Sequence, residues 1–88
     1  MSHALYATRL YWAGGRGIAK LHGNEVRLSA PPHLPGLEVD AVDYTPEVRV
    51  AMVMPRRSGW REMTGEEIRG ADALLAELTK EVRNAPAA

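Results

Sequence analysis

The sequence predicts an α+β fold: a small, mostly antiparallel sheet of four or five strands with one C-terminal amphipathic helix packed on one face. Short runs rich in β-branched and aromatic residues, each closed by a Gly- or Pro-rich break, fill residues 4–54. One later stretch, "GWREMTGEEIRGADALLAEL" from Gly59 to Leu78, carries apolar residues at helical spacing behind a helix-start signature. No second long helix is visible, so strands followed by one helix point to α+β architecture.

Residues 4–12, "ALYATRLYW", lack helical periodicity and stop at "AGGRG", whose glycines permit turns with positive φ. The runs "IAKL" and "EVRLSA" flank "HGNE", where Gly23-Asn24 suits a two-residue hairpin turn. Val26, Leu28 and Ala30 then face the core, with Arg27 and Ser29 toward water. The first thirty residues therefore read as a three-stranded meander. "PPHLPG" is a rigid loop, because prolines cannot join the ladder of a central strand. "LEVDAV" alternates Leu37, Val39 and Ala41 against Glu38, Asp40 and Val42, the pattern of a half-exposed strand. A "DYTPE" turn follows, and "VRVAMVM", the most apolar run, reads as a central strand ended by Pro55. Trp60 to Met63 can add a short strand.

The helix start is specified twice. Thr64 and Glu67 form a capping box, and Met63 and Ile68 stand at the two positions of a hydrophobic staple. Ile68, Ala71, Leu75, Leu78 and Val82, broadened by Leu74, make one apolar stripe to lie on the sheet. Glu66 and Glu67 in the first turn and Lys80 and Arg83 in the last complement the helix dipole. Gly70 costs about 1 kcal/mol against alanine inside a helix, so either another backbone comes close or the cost is tolerated. Residues 1–84 form one domain, and "NAPAA" leads into a flexible tail at 85–88.

Eighty-eight residues support one core, since a chain this size buries only about 60–65 % of its unfolded surface. Eleven Lys and Arg balance eleven Asp and Glu, so no basic excess points to nucleic acid or a membrane. The signs nevertheless run in blocks. Residues 1–36 hold four basic and one acidic residue, net +3; 37–54 hold one and four, −3; 55–63 hold three and one, +2; 64–88 hold three and five, −2. Such blocks suit an acidic strand beside basic ones, or subunits meeting basic to acidic, and the intramolecular arrangement is favoured. The absence of cysteine excludes disulfides, thiol chemistry and Cys-type zinc sites, and is compatible with a cytoplasmic setting. Arg9 interrupts the one N-terminal apolar stretch, so no signal peptide is expected, and no run reaches the length of a membrane span.

Searches for chemistry mostly fail. "GGRG" lacks both the Gly-Lys-Ser/Thr ending of a phosphate loop and a helix immediately behind it. His3, His22 and His33 have neither i,i+4 pairing nor a cysteine to complete a zinc set, and Ser2, Ser29 and Ser58 lack a nucleophile elbow. Glu38, Asp40, Asp43 and Glu47 read first as a solvated strand face, with a hard-cation site or metal-assisted hydrolysis as the lesser alternative. No catalytic residue, cofactor or metal ligand is assigned, and the chain is expected not to be an enzyme.

"PRRSGWR" is the most informative patch. Arg56, Arg57, Trp60 and Arg61 combine cationic and stacking groups, which dominate both protein and nucleic-acid interfaces. Three readings stay open: a hairpin loop whose Trp60 caps the sheet edge under the helix, a protein contact, or a grip on nucleic acid. Neutral net charge disfavours the last. Tyr6, Tyr11 and Trp12 add aromatic surface on the first strand, with core filling the default.

The segment "GWREMTGEEIRGADALL" resembles the C-terminal part of small proteins of tailed phages and prophages, in which Trp-x-x-Met-Thr leads into a Glu-Glu-Ile helix. The resemblance implies a virion or tail-assembly component without enzymatic activity, located in the bacterial host cytoplasm or incorporated in a virion. From Trp12 to Gly36, "WAGGRG…RLSAPPHLPG" is similar to the opening of the osmotically inducible, organic-hydroperoxide-resistance family. That family's peroxidase chemistry needs two cysteines, which this chain lacks. The expectation is a non-enzymatic assembly or protein-interaction module, acting through a sheet edge or through Arg56, Arg57, Trp60 and Arg61. The alternative is a nucleic-acid-contacting accessory protein using the same loop.

Overall fold

The computed structural model describes residues 8–84, so the expected strand residues 4–7, His3 and the tail at 85–88 lie outside it. Six strands form one antiparallel sheet: β1 Arg9–Ala13, β2 Arg16–Leu21, β3 Asn24–Leu28, β4 Val39–Thr45, β5 Val50–Pro55 and β6 Arg61–Glu62. Helix α1, Gly65–Asn84, follows. The spatial order is β3-β2-β1-β4-β5-β6, two three-stranded meanders joined along β1 and β4. The α+β architecture is therefore as the sequence predicts, with one strand more than the upper expectation.

Both turns of the first meander are two-residue loops that need positive φ. Gly14 and Gly15 supply it between β1 and β2, at 61° and 78°. Between β2 and β3 the turn is His22-Gly23 rather than Gly23-Asn24, because Asn24 already pairs with Leu21 and His22 takes a φ of 49°. Histidine is among the few residues besides glycine that enter this region with some frequency. Ala30 lies beyond β3 and is exposed, whereas Val26 and Leu28 pack against the core as expected.

One face of the sheet carries the core. Leu10 and Trp12 of β1, Ala19 and Leu21 of β2, Val42 and Tyr44 of β4 and Val53 of β5 meet Ala71 and Leu75 of the helix, with Ile68, Leu74, Leu78 and Val82 packed around them. Trp12 is 6 % exposed and is the largest side chain of the core. Its indole lies over the next strand, and only glycine fits at position 17: a Cβ there would stand 2.2 Å from the Tyr11 carbonyl oxygen and 2.8 Å from Trp12 Cε3. Gly70 has the complementary reason. The proline loop seats Leu34 in the core and brings Pro35 Cδ to 2.6 Å from where a Cβ at position 70 would be.

Three expectations about the second meander need correction. The simple alternation over 37–42 fails because a register shift between Val39 and Ala41 leaves Asp40 as a bulge. Val39 then faces the core together with Val42 and Tyr44, while Ala41 turns to the opposite face. The strand also continues through Asp43, Tyr44 and Thr45, so the turn is a 3₁₀ segment, Pro46–Val48, closed by Arg49 at φ 57°. The apolar run that reads as central is β5, one strand from an edge, and its Met52 and Met54 lie half-buried on the face away from the helix. β1 and β4 hold the centre instead.

The three salt bridges among the described residues each join a positive block of sequence to a negative one. Arg9 meets Asp43 at 3.2 Å, Arg56 meets Glu38 at 2.9 Å and Arg61 meets Glu67 at 2.9 Å. Much of the blockwise charge alternation is thus used within the chain. No helix in the described residues is long and apolar enough to cross a membrane.

Candidate functional site

The β5–β6 connection positions Arg56, Arg57, Trp60 and Arg61, and two backbone hydrogen bonds shape it. Arg56 donates its amide to the Glu38 carbonyl at 3.0 Å, and Ser58 donates to the Pro55 carbonyl at 3.0 Å. Arg57 sits at a φ of 58°, an uncommon conformation for a long side chain. Its amide donates to Asp40 Oδ2 at 3.0 Å, and this carboxylate, thrown outward by the β4 bulge, holds the turn in that shape. Arg56 Nη1 donates to Glu38 Oε2 at 2.9 Å, and the pairing raises the Arg56 pKa above its ordinary value. The acidic "EVD" and the basic "PRR", unrelated in the linear reading, thus form one clamp.

Arg61 faces the other way. It pairs with Val53, whose side chain is in the core, and so points to the helix side of the sheet. Its Nη1 and Nη2 donate to Glu67 Oε1 and Oε2, each at 2.9 Å. Glu67 also closes the expected capping box, accepting from the Thr64 amide at 2.9 Å while its own amide donates to Thr64 Oγ1 at 3.2 Å. The Arg61 guanidinium is the main reason the Glu67 pKa falls from 4.5 to about 2, against a burial effect in the opposite direction. The helix cap and the last strand are therefore locked together by a two-pronged ion pair.

Trp60 stands between these anchors and is 45 % exposed, one of two large apolar side chains left open to solvent among the described residues, with Val48. It is not among the side chains packed against the core beneath the helix. The structure therefore divides the four candidates: Arg61 is built into the fold, Arg56 is tied to Glu38, and Trp60 and the Arg57 guanidinium remain outward. Beside the turn, a hollow of about 390 Å³ is lined by Pro31, His33, Glu38, Asp40 and Arg56. His33 could not be linked to the turn from sequence, because the proline loop and the β5–β6 turn meet only through β4.

No protein family, curated protein or solved structure matches this chain.

Three of the four acidic residues weighed for a cation are distributed among separate partners, and Glu47 lies exposed in the 3₁₀ turn. Glu38 serves Arg56, Asp40 serves the Arg57 amide and Asp43 serves Arg9, with the Arg9 guanidinium also 4.7 Å from the Tyr11 ring centroid. Among the described residues no three His, Asp or Glu side chains converge as a metal site would require. Asp72 on the helix accepts a 2.5 Å hydrogen bond from the Tyr44 hydroxyl. Burial, then this hydrogen bond, raises the Tyr44 pKa to about 12, and the contact ties α1 to the central strand.

Proposed function

We propose that this chain is a non-enzymatic protein-interaction module that presents Trp60 on a pinned turn to the surface of a partner protein. The tailed-phage or prophage assembly implied by the Trp60–Leu75 resemblance is the proposed setting. The observation that carries the proposal is a 45 % exposed tryptophan held between fixed points, with Arg56 and Arg57 tied to β4 on one side and Arg61 tied to the helix cap on the other. Tryptophan and arginine concentrate binding energy at protein interfaces, and a rigidly presented anchor loses little conformational freedom when it docks. The nucleic-acid alternative is weakened because carboxylates neutralise Arg56 and Arg61, leaving Arg57 as the one uncommitted guanidinium of this turn, on a chain of zero net charge.

The test is a pair of binding measurements. Immobilised wild-type chain should retain a defined host or virion protein, and Trp60→Ala should weaken that complex about tenfold or more, as loss of a hot-spot residue does. Raising the salt should change the affinity little. Labelled single- and double-stranded oligonucleotides should show no comparable binding. Steeply salt-dependent oligonucleotide binding, abolished by Arg56→Ala with Arg57→Ala, would replace this proposal with the nucleic-acid one.

A further inference from the structure

We infer that β3 is a self-complementary edge and that two copies of this chain join through it, antiparallel and centred on Val26, into one continuous sheet. The two edges of the sheet differ. β6 is two residues long, whereas β3 presents five residues without proline or bulge. The two-residue His22-Gly23 turn makes Leu21 and Asn24 a hydrogen-bonded pair, and alternation along the ladder then turns the backbone groups of Asn24, Val26 and Leu28 toward β2. The amide and carbonyl groups of Glu25 and Arg27 consequently point outward from the free edge.

In a symmetric antiparallel pairing about Val26, Glu25 lies opposite the second copy's Arg27, and Arg27 opposite its Glu25. Those are the residues with outward backbone groups, so each such pair exchanges both backbone hydrogen bonds. Each also sets a carboxylate beside a guanidinium on the face away from the helix. Val26 meets Val26 on the helix side, extending the core row of Ala19 and Val26. The neighbouring symmetric registers, centred on Glu25 or on Arg27, place like charges opposite one another. Charge alone therefore selects one register. Neither Glu25 nor Arg27 makes a salt bridge among the described residues, and both are exposed.

This inference does not depend on Trp60, which belongs to the connection beside the opposite edge. It does add to the proposed function, since a dimer joined at β3 carries a Trp60 turn near each outer end and engages a repetitive surface bivalently. A strand of five residues buries less than the ~1,200 Å² of a standard stable interface, so the association is concentration-dependent.

Sedimentation equilibrium of the full chain from roughly 10 µM to 1 mM tests it. The average mass should climb from 9.7 kDa toward twice that value. Glu25→Arg and Arg27→Glu should each hold the mass at the monomer value, and the double reversal should restore dimerisation. Circular dichroism confirms that each variant is folded. Amide exchange gives a second readout: the Glu25 and Arg27 amides should become protected only at high concentration. A wild-type chain that stays monomeric throughout, or a dimer indifferent to both single reversals, would overturn the inference. Dimerisation lost in Trp60→Ala but kept in Arg27→Glu would assign self-association to the turn instead. Failure of the edge with intact Trp60-dependent partner binding would leave the proposed function standing.

Discussion

Replacing Glu67 by glutamine isolates the ionic part of the lock between β6 and α1. The side chain is buried and its pKa falls from the ordinary 4.5 to about 2. At about 1.36 kcal/mol per unit, this sets a ceiling near ~3 kcal/mol. The partner guanidinium is 41 % exposed, so solvent screens the pair and ~1–2 kcal/mol is the realistic contribution. For a domain of this size that corresponds to roughly 5–10 °C in melting temperature. A depressed carboxylate pKa gives stability that is complete above the unfolded-state value and lost as pH falls through the folded-state value. Glu67→Gln should therefore melt lower than wild type at neutral pH, with the gap closing between about pH 5 and about pH 2. Thermal melts by circular dichroism along that series measure the difference, and other titrating carboxylates cancel in the comparison. A gap that stays constant down to about pH 2, or no gap at neutral pH, would refute an ionic role for Glu67.

The remaining predictions concern packing, a buried hydroxyl and the exposed tryptophan. Gly17→Ala should destabilise by ~3 kcal/mol or more in urea titrations, because its Cβ would overlap a backbone oxygen that cannot retreat without breaking the β1–β2 pairing. Gly70→Ala gains about 1 kcal/mol of helix propensity yet should still lower stability, since the added methyl displaces the Pro35 ring; a rise in melting temperature would show that the loop yields freely. Tyr44→Phe should cost about 1 kcal/mol. It should also remove a stability loss that wild type shows between about pH 10 and 12, the window set by a tyrosine pKa raised to about 12. Trp60→Ala should leave stability within about 0.5 kcal/mol while weakening partner binding about tenfold or more, which separates it from the core residue Trp12.

Local chemistry was the part of this fold most readable in sequence. The capping box needs only Thr64 and Glu67 three residues apart, and both of its hydrogen bonds form. The helical stripe likewise depends on spacing along one element, and it packs as spaced. What the sequence concealed depends on which strands become neighbours. The bulge at Asp40 makes sense only once the Arg57 amide is opposite it, and the partner lies 17 positions away. Arg56, Arg57 and Arg61 look equivalent in "PRRSGWR", yet strand alternation sends Arg61 to the helix side and leaves the other two at a turn. Trp12 and Trp60 each stand next to a Gly-containing turn; their place in the sheet buries one on the core face and exposes the other.

The seam between β1 and β4 has a consequence for the order in which the chain assembles. Each meander is held by neighbouring segments: β1, β2 and β3 by two-residue turns, and β4 and β5 by a single 3₁₀ turn. Joining the halves requires Leu10 to find Tyr44 and Trp12 to find Val42 across the whole of β2, β3 and the proline loop. Loop closure on that scale is the slow step for chains of this size. The expected rate-limiting event is therefore the meeting of the two halves along their inner strands, with α1 closing over the join. Mutations at Leu10, Trp12 or Val42 should slow refolding, while changes on β3 should mainly speed unfolding.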